Sequence, residues 1–516
     1  MKKILVLLLA LLMLLPLVVA CKKEETPNEP AGSDVESGSE SESGSETEEN
    51  KYDVYDDLGE FDMGGRTVSI GQSQEQDYSS EVDPDRLTGE VVNDAVYRRN
   101  GAVEKRLNIK IKKVVENGSG HAVVNKLETA MMSGSTPYEL ILNSSYMTCT
   151  GVTRGLFNDL KKVENLDLSK VYWSQLLNET YTIGGVQYVA KGAFSTSFYK
   201  FMFVNLLNER VFEEHEGDKP DLIAVVKEGK WTMEYQTQLI KDYHVDLGIA
   251  GTDEEDILGF VGNTGIMFDA YFSSGDVQAL RKGDDGYYFY DFDYTRATEV
   301  MEDLVALITS QASFCYEDTA TMEDNMINKF STGTALMSGA RLIQLEGQQM
   351  KQMKDAYTIL PVAKWSESQE EYYSLISDRF TAMAMSALVT GTDVSLMGAV
   401  MEALASESYR VVTPVYFETV LRSRYTSNPE KWEVLEDITE NIKMDACLPY
   451  TAALQITGHP RDSIIKLWRY TAWQGYNGNP KAISAVFTQG VADSVEEKLN
   501  GDDGLQTFIK EQLNNT

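Results

Sequence analysis

From Arg66 onward, hydrophobic positions follow two alternating periods. RTVSIGQS is a short β-rich run ending in Gly71-Gln72-Ser73, and a polar loop continues to Glu90. VVNDAVYRRNGAVEKRLNIKIKKV then places apolar residues at Val92, Val96, Val103 and Leu107, the spacing of one helix face, before alternating at Ile109 and Ile111. The unit recurs: AVVNKLETAMMSG predicts a helix and YELILNSS a strand, separated by Gly134 and Pro137. Strands alternating with helices predict a parallel α/β sheet. In open sheets of that kind the ligand crevice lies beyond the carboxyl ends of the strands, which makes Gln72, Ser144, Ser145 and Tyr146 cleft candidates by position alone.

Farther along, GGVQYVAKGAF predicts a strand and KFMFVNLLNERVFEEH a strand running into a helix. Thr232, after KEGKW, suits the N-cap of a helix. Asn428-Pro429-Glu430 and Asn479-Pro480-Lys481 each set a capping residue before a first-turn proline and predict two more helix starts. Trp432, Leu435, Ile438 and Ile442 keep helical spacing in the first of these. The last third is mainly helical apart from YTILPV and the apolar run from Phe380 to Val389, segments suited to hinge strands between lobes.

The amino terminus follows a different rule. Lys2 and Lys3 precede an apolar run from Ile4 to Ala20 that is short for a membrane span, is broken by Pro16 and stops directly at Cys21, the layout of an export segment removed after residue 20. Val18-Val19-Ala20-Cys21 resembles a bacterial lipobox, in which the cysteine is diacylated, so Cys21 is the expected lipid attachment site. Residues 21–50 are Ser, Gly, Glu and Pro with almost nothing apolar. They cannot bury enough surface to offset their ordering entropy, and their like charges extend them into an acidic tether. The expected location is the outer face of a membrane.

Residues 51–516 are too many for one ordinary core and predict two lobes. The chain is 42% apolar with a formal charge of −34, which opposes nucleic-acid binding and favours solubility. Cys149, Cys315 and Cys447 are an odd set with no metal-knuckle spacing and allow at most one disulfide. His121, His215, His244 and His459 are scattered, with no HExxH pair, nucleophile elbow or P-loop, and the two GDDG segments at Gly283 and Gly501 lack EF-hand spacing and suit surface turns. No cofactor is expected, and no enzyme activity.

Several stretches resemble one family. YDDLGEFDMGGRTVSI, VNLLNERVFEEHEGDKPDLIAVVKEGKWTMEYQ, KFSTGTALMSGA, YTILPVAKWSESQEEYYS and ALASESYRVVTPVYFETVLRSRYTSNPEKWEVLEDI are similar to the large, sugar-type (family 1) extracellular solute-binding lipoproteins of Gram-positive bacteria, with Ala363 departing where members usually carry a second proline. The resemblance implies a two-lobed α/β fold of the periplasmic-binding-protein type (type II), with hinge strands and an interlobe cleft. By analogy one lobe holds residues 62–193 plus 373–445 and the other 194–372 plus 446–516. It further implies a monomer that captures a small polar solute, a sugar or oligosaccharide, for the permease of an ABC importer. The alternatives are a surface carbohydrate-active hydrolase, which requires two facing carboxylates, and a solute sensor feeding a signalling receptor.

Sugar binding needs flat aromatic faces and planar polar groups. Within the lobes so defined, the aromatic-rich LWRYTAWQGYNGNP offers Trp468 and Trp473, and FVGNTGIMFDAYFSSG offers Phe268 and Tyr271. Arg341 after the SGA turn and Arg379 in SDRF offer fixed guanidinium donors, although either also suits an ion pair between lobes. Trp231, beside a cap, and Trp432, on an apolar stripe, are expected to be structural.

Overall fold

A computed structural model describes residues 50–74, 81–82, 86–217, 219–248, 253–422, 428–456 and 463–514. The export segment, Cys21, the tether up to residue 49 and His459 lie outside the described residues.

Two five-stranded sheets organise residues 50–514. The first contains β1 (Arg66–Ser73), β2 (Ile109–Glu116), β3 (Leu140–Ser144), β4 (Val189–Ala190) and β12 (Thr381–Met385) in the order β2-β1-β3-β12-β4. The second contains β5 (Phe203–Asn208), β6 (Leu258–Asn263), β9 (Ser313–Tyr316), β10 (Ala335–Arg341) and β11 (Tyr357–Leu360) in the order β11-β5-β10-β6-β9. A hairpin of β7 (Leu280–Lys282) and β8 (Tyr288–Tyr290) turns at the first GDDG segment. The second GDDG segment is the turn between helices Gln489–Asn500 and Leu505–Asn514.

The first half of the pattern reading holds. Helix Val91–Leu107 buries Val92, Val96, Val103 and Leu107 and ends at Asn108 in the left-handed region (φ 49°). Helix Gly120–Ser133 ends in the same way at Gly134. Gly71 is required where it stands, since a Cβ there would lie 2.7 Å from the Tyr138 ring. Asn428 and Thr232 cap their helices as expected.

Four expectations need correction. The first sheet is mixed rather than parallel: β1, β2 and β3 are parallel, but β12 runs antiparallel to both β3 and β4 because the chain returns to it from the second sheet. GGVQYVAKGAF yields only the two residues of β4, because Gly184 and Gly185 adopt positive φ and Val186 pairs straight back to Ile183. Asn479 closes the helix before it, its N–H donating to the Gln474 carbonyl, and the next helix starts only at Ile483. YTILPV and the 380–389 run supply the regular strands β11 and β12 rather than free hinge strands. Cys149, Cys315 and Cys447 are all buried thiols, without a disulfide.

The crossings between the sheets lie side by side. Phe203 N–H donates to Leu375 O (3.0 Å), Ser377 N–H to Phe201 O (3.1 Å), and Met202 pairs antiparallel with Ile376. Ser374 is bonded in turn to the 441–443 segment. On the first-sheet side the buried carboxylate of Glu81 accepts four bonds where the chain leaves β4: from Thr196 N–H (2.9 Å) and hydroxyl (3.0 Å), and from Ser197 N–H (2.8 Å) and hydroxyl (2.7 Å). Ser197 Oγ accepts the Thr381 N–H (2.9 Å), which ties this crossing to β12. Glu81→Ala strands four donors in the interior, so we predict a loss of about 3 kcal/mol of unfolding free energy in urea; a loss below about 1 kcal/mol would show that water replaces the carboxylate without cost.

Candidate functional site

Strand direction places one large concavity. The carboxyl ends of β3, β6, β9 and β10 all open onto a cavity of about 880 Å³, a volume within the usual range for small-molecule sites. Tyr146 and Met147, on the short helix Ser145–Cys149 that follows β3, form one wall with Ser119 and His121 at the start of helix Gly120–Ser133. The opposite wall carries Asp269 on helix Met267–Ser274, Asp318 after β9, Glu323 on helix Met322–Ser331, Arg341 at the end of β10 and Arg469 on helix Ile464–Tyr476. Leu375 to Arg379, the paired crossing that leads into β12, also lines the cavity, as do Leu448, Thr451, Ala452 and Gln455. Tyr146 N–H donates to Asp378 O (3.2 Å) and Ser145 N–H to Phe380 O (2.8 Å), so this segment is fixed to the first wall.

The charged groups are organised in forks. Arg341 binds Glu323 through Nε to Oε1 (2.9 Å) and Nη2 to Oε2 (2.6 Å), with its guanidinium 5.0 Å from the Phe201 ring centroid. Arg469 grips Asp269 in the same bidentate way, Nε to Oδ1 at 2.6 Å with Nη2 on Oδ2. Burial raises the Asp269 carboxyl above its usual range although Arg469 opposes it. Asp378 keeps partial access to the cavity yet is surrounded by protein. Its carboxyl is pushed up to about 7, chiefly by desolvation and further by Asp269, with Arg469 and Arg379 opposing. Among the described residues no group of three or more His, Cys, Asp or Glu side chains is placed to hold a metal ion.

Of the residues singled out from sequence, Tyr146, Arg341 and Arg379 come together on this cavity. Phe268, Tyr271 and Trp468 do not: all three are core side chains at 1% exposure or less. The Trp468 indole N–H donates to the Phe268 carbonyl (2.8 Å) and its ring meets Phe272 edge-on at 5.3 Å, so the aromatic faces of the two helices are spent on each other. Trp473 stacks on Tyr470 at 6.3 Å. Gln72 is fully buried at the end of β1 and is not on the cavity wall; both its amide atoms lack a hydrogen-bond partner, as do the hydroxyls of Ser73 and Ser144. Asp269, Arg469, Asp378, Asp318 and Glu323 escaped the sequence reading. Asp269 is the lone charge of the apolar MFDAYF helix, and Arg469 shares the otherwise apolar IIKLWRYTAW stretch with Lys466 alone; charges so placed were the legible signal.

The sequence matches no protein-family model and no curated protein. Solved structures do match the fold. A cyclo/maltodextrin-binding protein complexed with maltotetraose aligns with a TM-score of 0.53 at 12% identity, over 85% of this chain and 98% of its own. A family 1 extracellular solute-binding protein from Alicyclobacillus acidocaldarius gives 0.52 at 10% identity, over 84% and 99%. The GacH receptor of Streptomyces glaucescens, solved unliganded and with acarbose, gives 0.51 at 12% identity, over 84% and 98%. The chain therefore has the two-lobed type II fold of solute-binding proteins. Likeness at these identities establishes the fold alone.

The Asp378 carboxyl yields a signed prediction. Its folded-state affinity for a proton exceeds the ordinary value of 3.8, so the stability it contributes is present in acid and is lost as pH rises through about 7. Asp378→Asn escapes that loss. The Tm difference between variant and parent should be near zero at about pH 4 and grow in favour of the variant up to about pH 8; a difference independent of pH would show that Asp378 is not held above the usual carboxylate range.

Proposed function

We propose that this chain is a lipid-anchored, extracytoplasmic binding protein that captures a small polar solute of the carbohydrate class in the interlobe cavity and delivers it to an ABC permease. The observation that carries the reading is the cavity itself. It lies where strand ends from both sheets converge, and paired crossing strands line it, so a solute held there touches both halves of the molecule at their joint. A ligand that contacts both lobes binds the closed arrangement better and shifts the population toward it. Diacylation at Cys21 and the acidic tether would keep the loaded protein beside its permease and raise the effective concentration. The lobes proposed are the bodies built on the two sheets, residues 62–193 with 373–445 and 194–372 with 446–516. The solved structures of the same fold that bind maltotetraose and acarbose support a sugar-type ligand.

A hydrolase is the second reading, favoured by one observation: Asp378, near 7, is poised as a general acid in a cavity that also holds Asp318. The purified chain should gain Tm saturably with one class of mono- or oligosaccharide, and chromatography of the supernatant should return that sugar intact. Cleaved sugar would replace capture by hydrolysis.

A further inference from the structure

The crossing at residues 375–380 is one attachment between the bodies built on the two sheets, and a second lies beside β4, the edge strand of the first. The hairpin of β7 and β8 belongs to the second-sheet body. Phe292, just after β8, stacks on Phe487 at 4.4 Å and leads into helix Tyr294–Ile308, whose Val305 packs on Gly475 of the helix that carries Arg469. Helices Gln489–Asn500 and Leu505–Asn514 brace the hairpin. The Gln506 amide accepts the Tyr288 N–H and donates to the Tyr288 carbonyl (2.8 Å), as a further strand would, and Glu496 accepts the Tyr290 N–H (2.7 Å). Hairpin and helices form one module.

This module meets the first-sheet body along residues 179–188, the run from the end of helix Gln175–Tyr181 to β4. Lys282 pairs with Glu179 (2.7 Å), and the Tyr288 hydroxyl donates to the Thr180 carbonyl (3.0 Å). Two glycine turns touch tip to tip, Gly184 N–H donating to Gly286 O (2.9 Å). The Tyr287 ring covers Gly184, where a Cβ would lie 2.4 Å from it, so this approach requires glycine. Phe508 lies against Gly155 and the Tyr188 ring. Nearer the cavity, the Tyr450 hydroxyl donates to the Tyr181 carbonyl (3.0 Å), and the Tyr181 hydroxyl is bonded to Ser145 Oγ (2.5 Å). Tyr450 stands between the lining residues Leu448 and Thr451, and Ser145 precedes the lining residue Tyr146, so the contact reaches both walls from behind.

The kind of contact sets what this attachment permits. A strand ladder resists rotation across it, because several aligned bonds break together. Among the described residues the module and the 179–188 run form no such ladder. They meet through hydroxyls that turn about their own C–O bonds, an ammonium on a flexible stem and one backbone bond between glycine turns. Each follows a small rotation without breaking. A groove of about 330 Å³ beside helix Leu505–Asn514, lined by Phe508, Leu513 and Tyr188 among others, leaves room for it. The crossing and this contact together define a line. Rotation about that line opens and closes the cavity, whereas twisting one body on the other pulls an attachment apart.

Building on the capture function proposed above, we infer that the hairpin and the two carboxyl-terminal helices are a second bearing of the hinge, which confines the bodies to one axis of rotation and keeps both cavity walls in register for a solute. The test is double electron–electron resonance on the full chain without solute, spin-labelled at Thr129→Cys and Asn328→Cys in a Cys21→Ser background, where the remaining thiols, Cys149, Cys315 and Cys447, are buried. Lys282→Ala combined with Tyr288→Phe removes the ammonium and one hydroxyl from the bearing. It should broaden the distance distribution about twofold around an unchanged mean. Glu179→Ala, at an exposed position on the first-sheet side, should broaden it in the same direction and add little to Lys282→Ala, because the two act through one contact; it serves if the double variant fails to fold. A shifted mean without broadening would make the hairpin a latch for one arrangement, and an unchanged distribution would show that the crossing alone guides the motion. Either result overturns the second bearing. Since no solute is present, both leave capture standing, and capture itself fails only where no sugar raises Tm.

Discussion

Residues 375–380 hold the molecule together. In six residues this segment bonds to Phe201 and Phe203, where the chain enters the second sheet, and to Ser145 and Tyr146, just after β3 of the first. These backbone bonds tie the Tyr146 wall to the start of the second sheet, because β3 ends here and β5 and β12 begin here. Backbone pairing between extended strands is stiff along the strands and compliant in twist. A joint of this kind lets two packed bodies rotate while the side chains at the pivot, Asp378 and Arg379 among them, stay in register with both walls.

That geometry explains the cost the cavity carries. Charged side chains are seldom buried without partners, yet this one concentrates carboxylates and guanidinium groups at the joint. The forks of Arg341 on Glu323 and Arg469 on Asp269 fix two guanidinium planes before any ligand arrives, so little side-chain freedom is lost on binding. Each fork lies within the second-sheet wall, so closing or opening the cleft breaks neither. Asp378 is the exception: it sits on the crossing, and desolvation there pushes its carboxyl up to about 7.

The fold was largely legible because local periods agree with it. The helix at Val91–Leu107, the strands at Arg66–Ser73 and Leu140–Ser144, and the capped starts at Thr232 and Asn428 follow from apolar spacing and capping chemistry alone. What the pattern could not carry is direction: β12 has the composition of a buried strand, and nothing in TAMAM says that it lies antiparallel between β3 and β4. The site was legible by position but not by side-chain type. Reading strand ends found Tyr146; Arg341 and Arg379 were reached as guanidinium donors, although the SGA turn expected before Arg341 is the end of strand β10. Choosing aromatic residues because sugars stack on them led to Phe268, Tyr271 and Trp468, which fill the core, while the charged neighbours Asp269 and Arg469 face the cavity. In these two helices the aromatic face goes to the core, and the charged residues lie on the side of the cavity.

The central claim is that a solute in this cavity closes the two bodies on each other. Spin labels at Thr129→Cys, on the first-sheet side, and Asn328→Cys, on the second, report that motion by double electron–electron resonance; both positions are exposed and the native Cys149, Cys315 and Cys447 are buried. A saturating ligand identified by thermal shift should shorten and narrow the distance distribution. A distribution unchanged by a ligand that is demonstrably bound would contradict capture by closure.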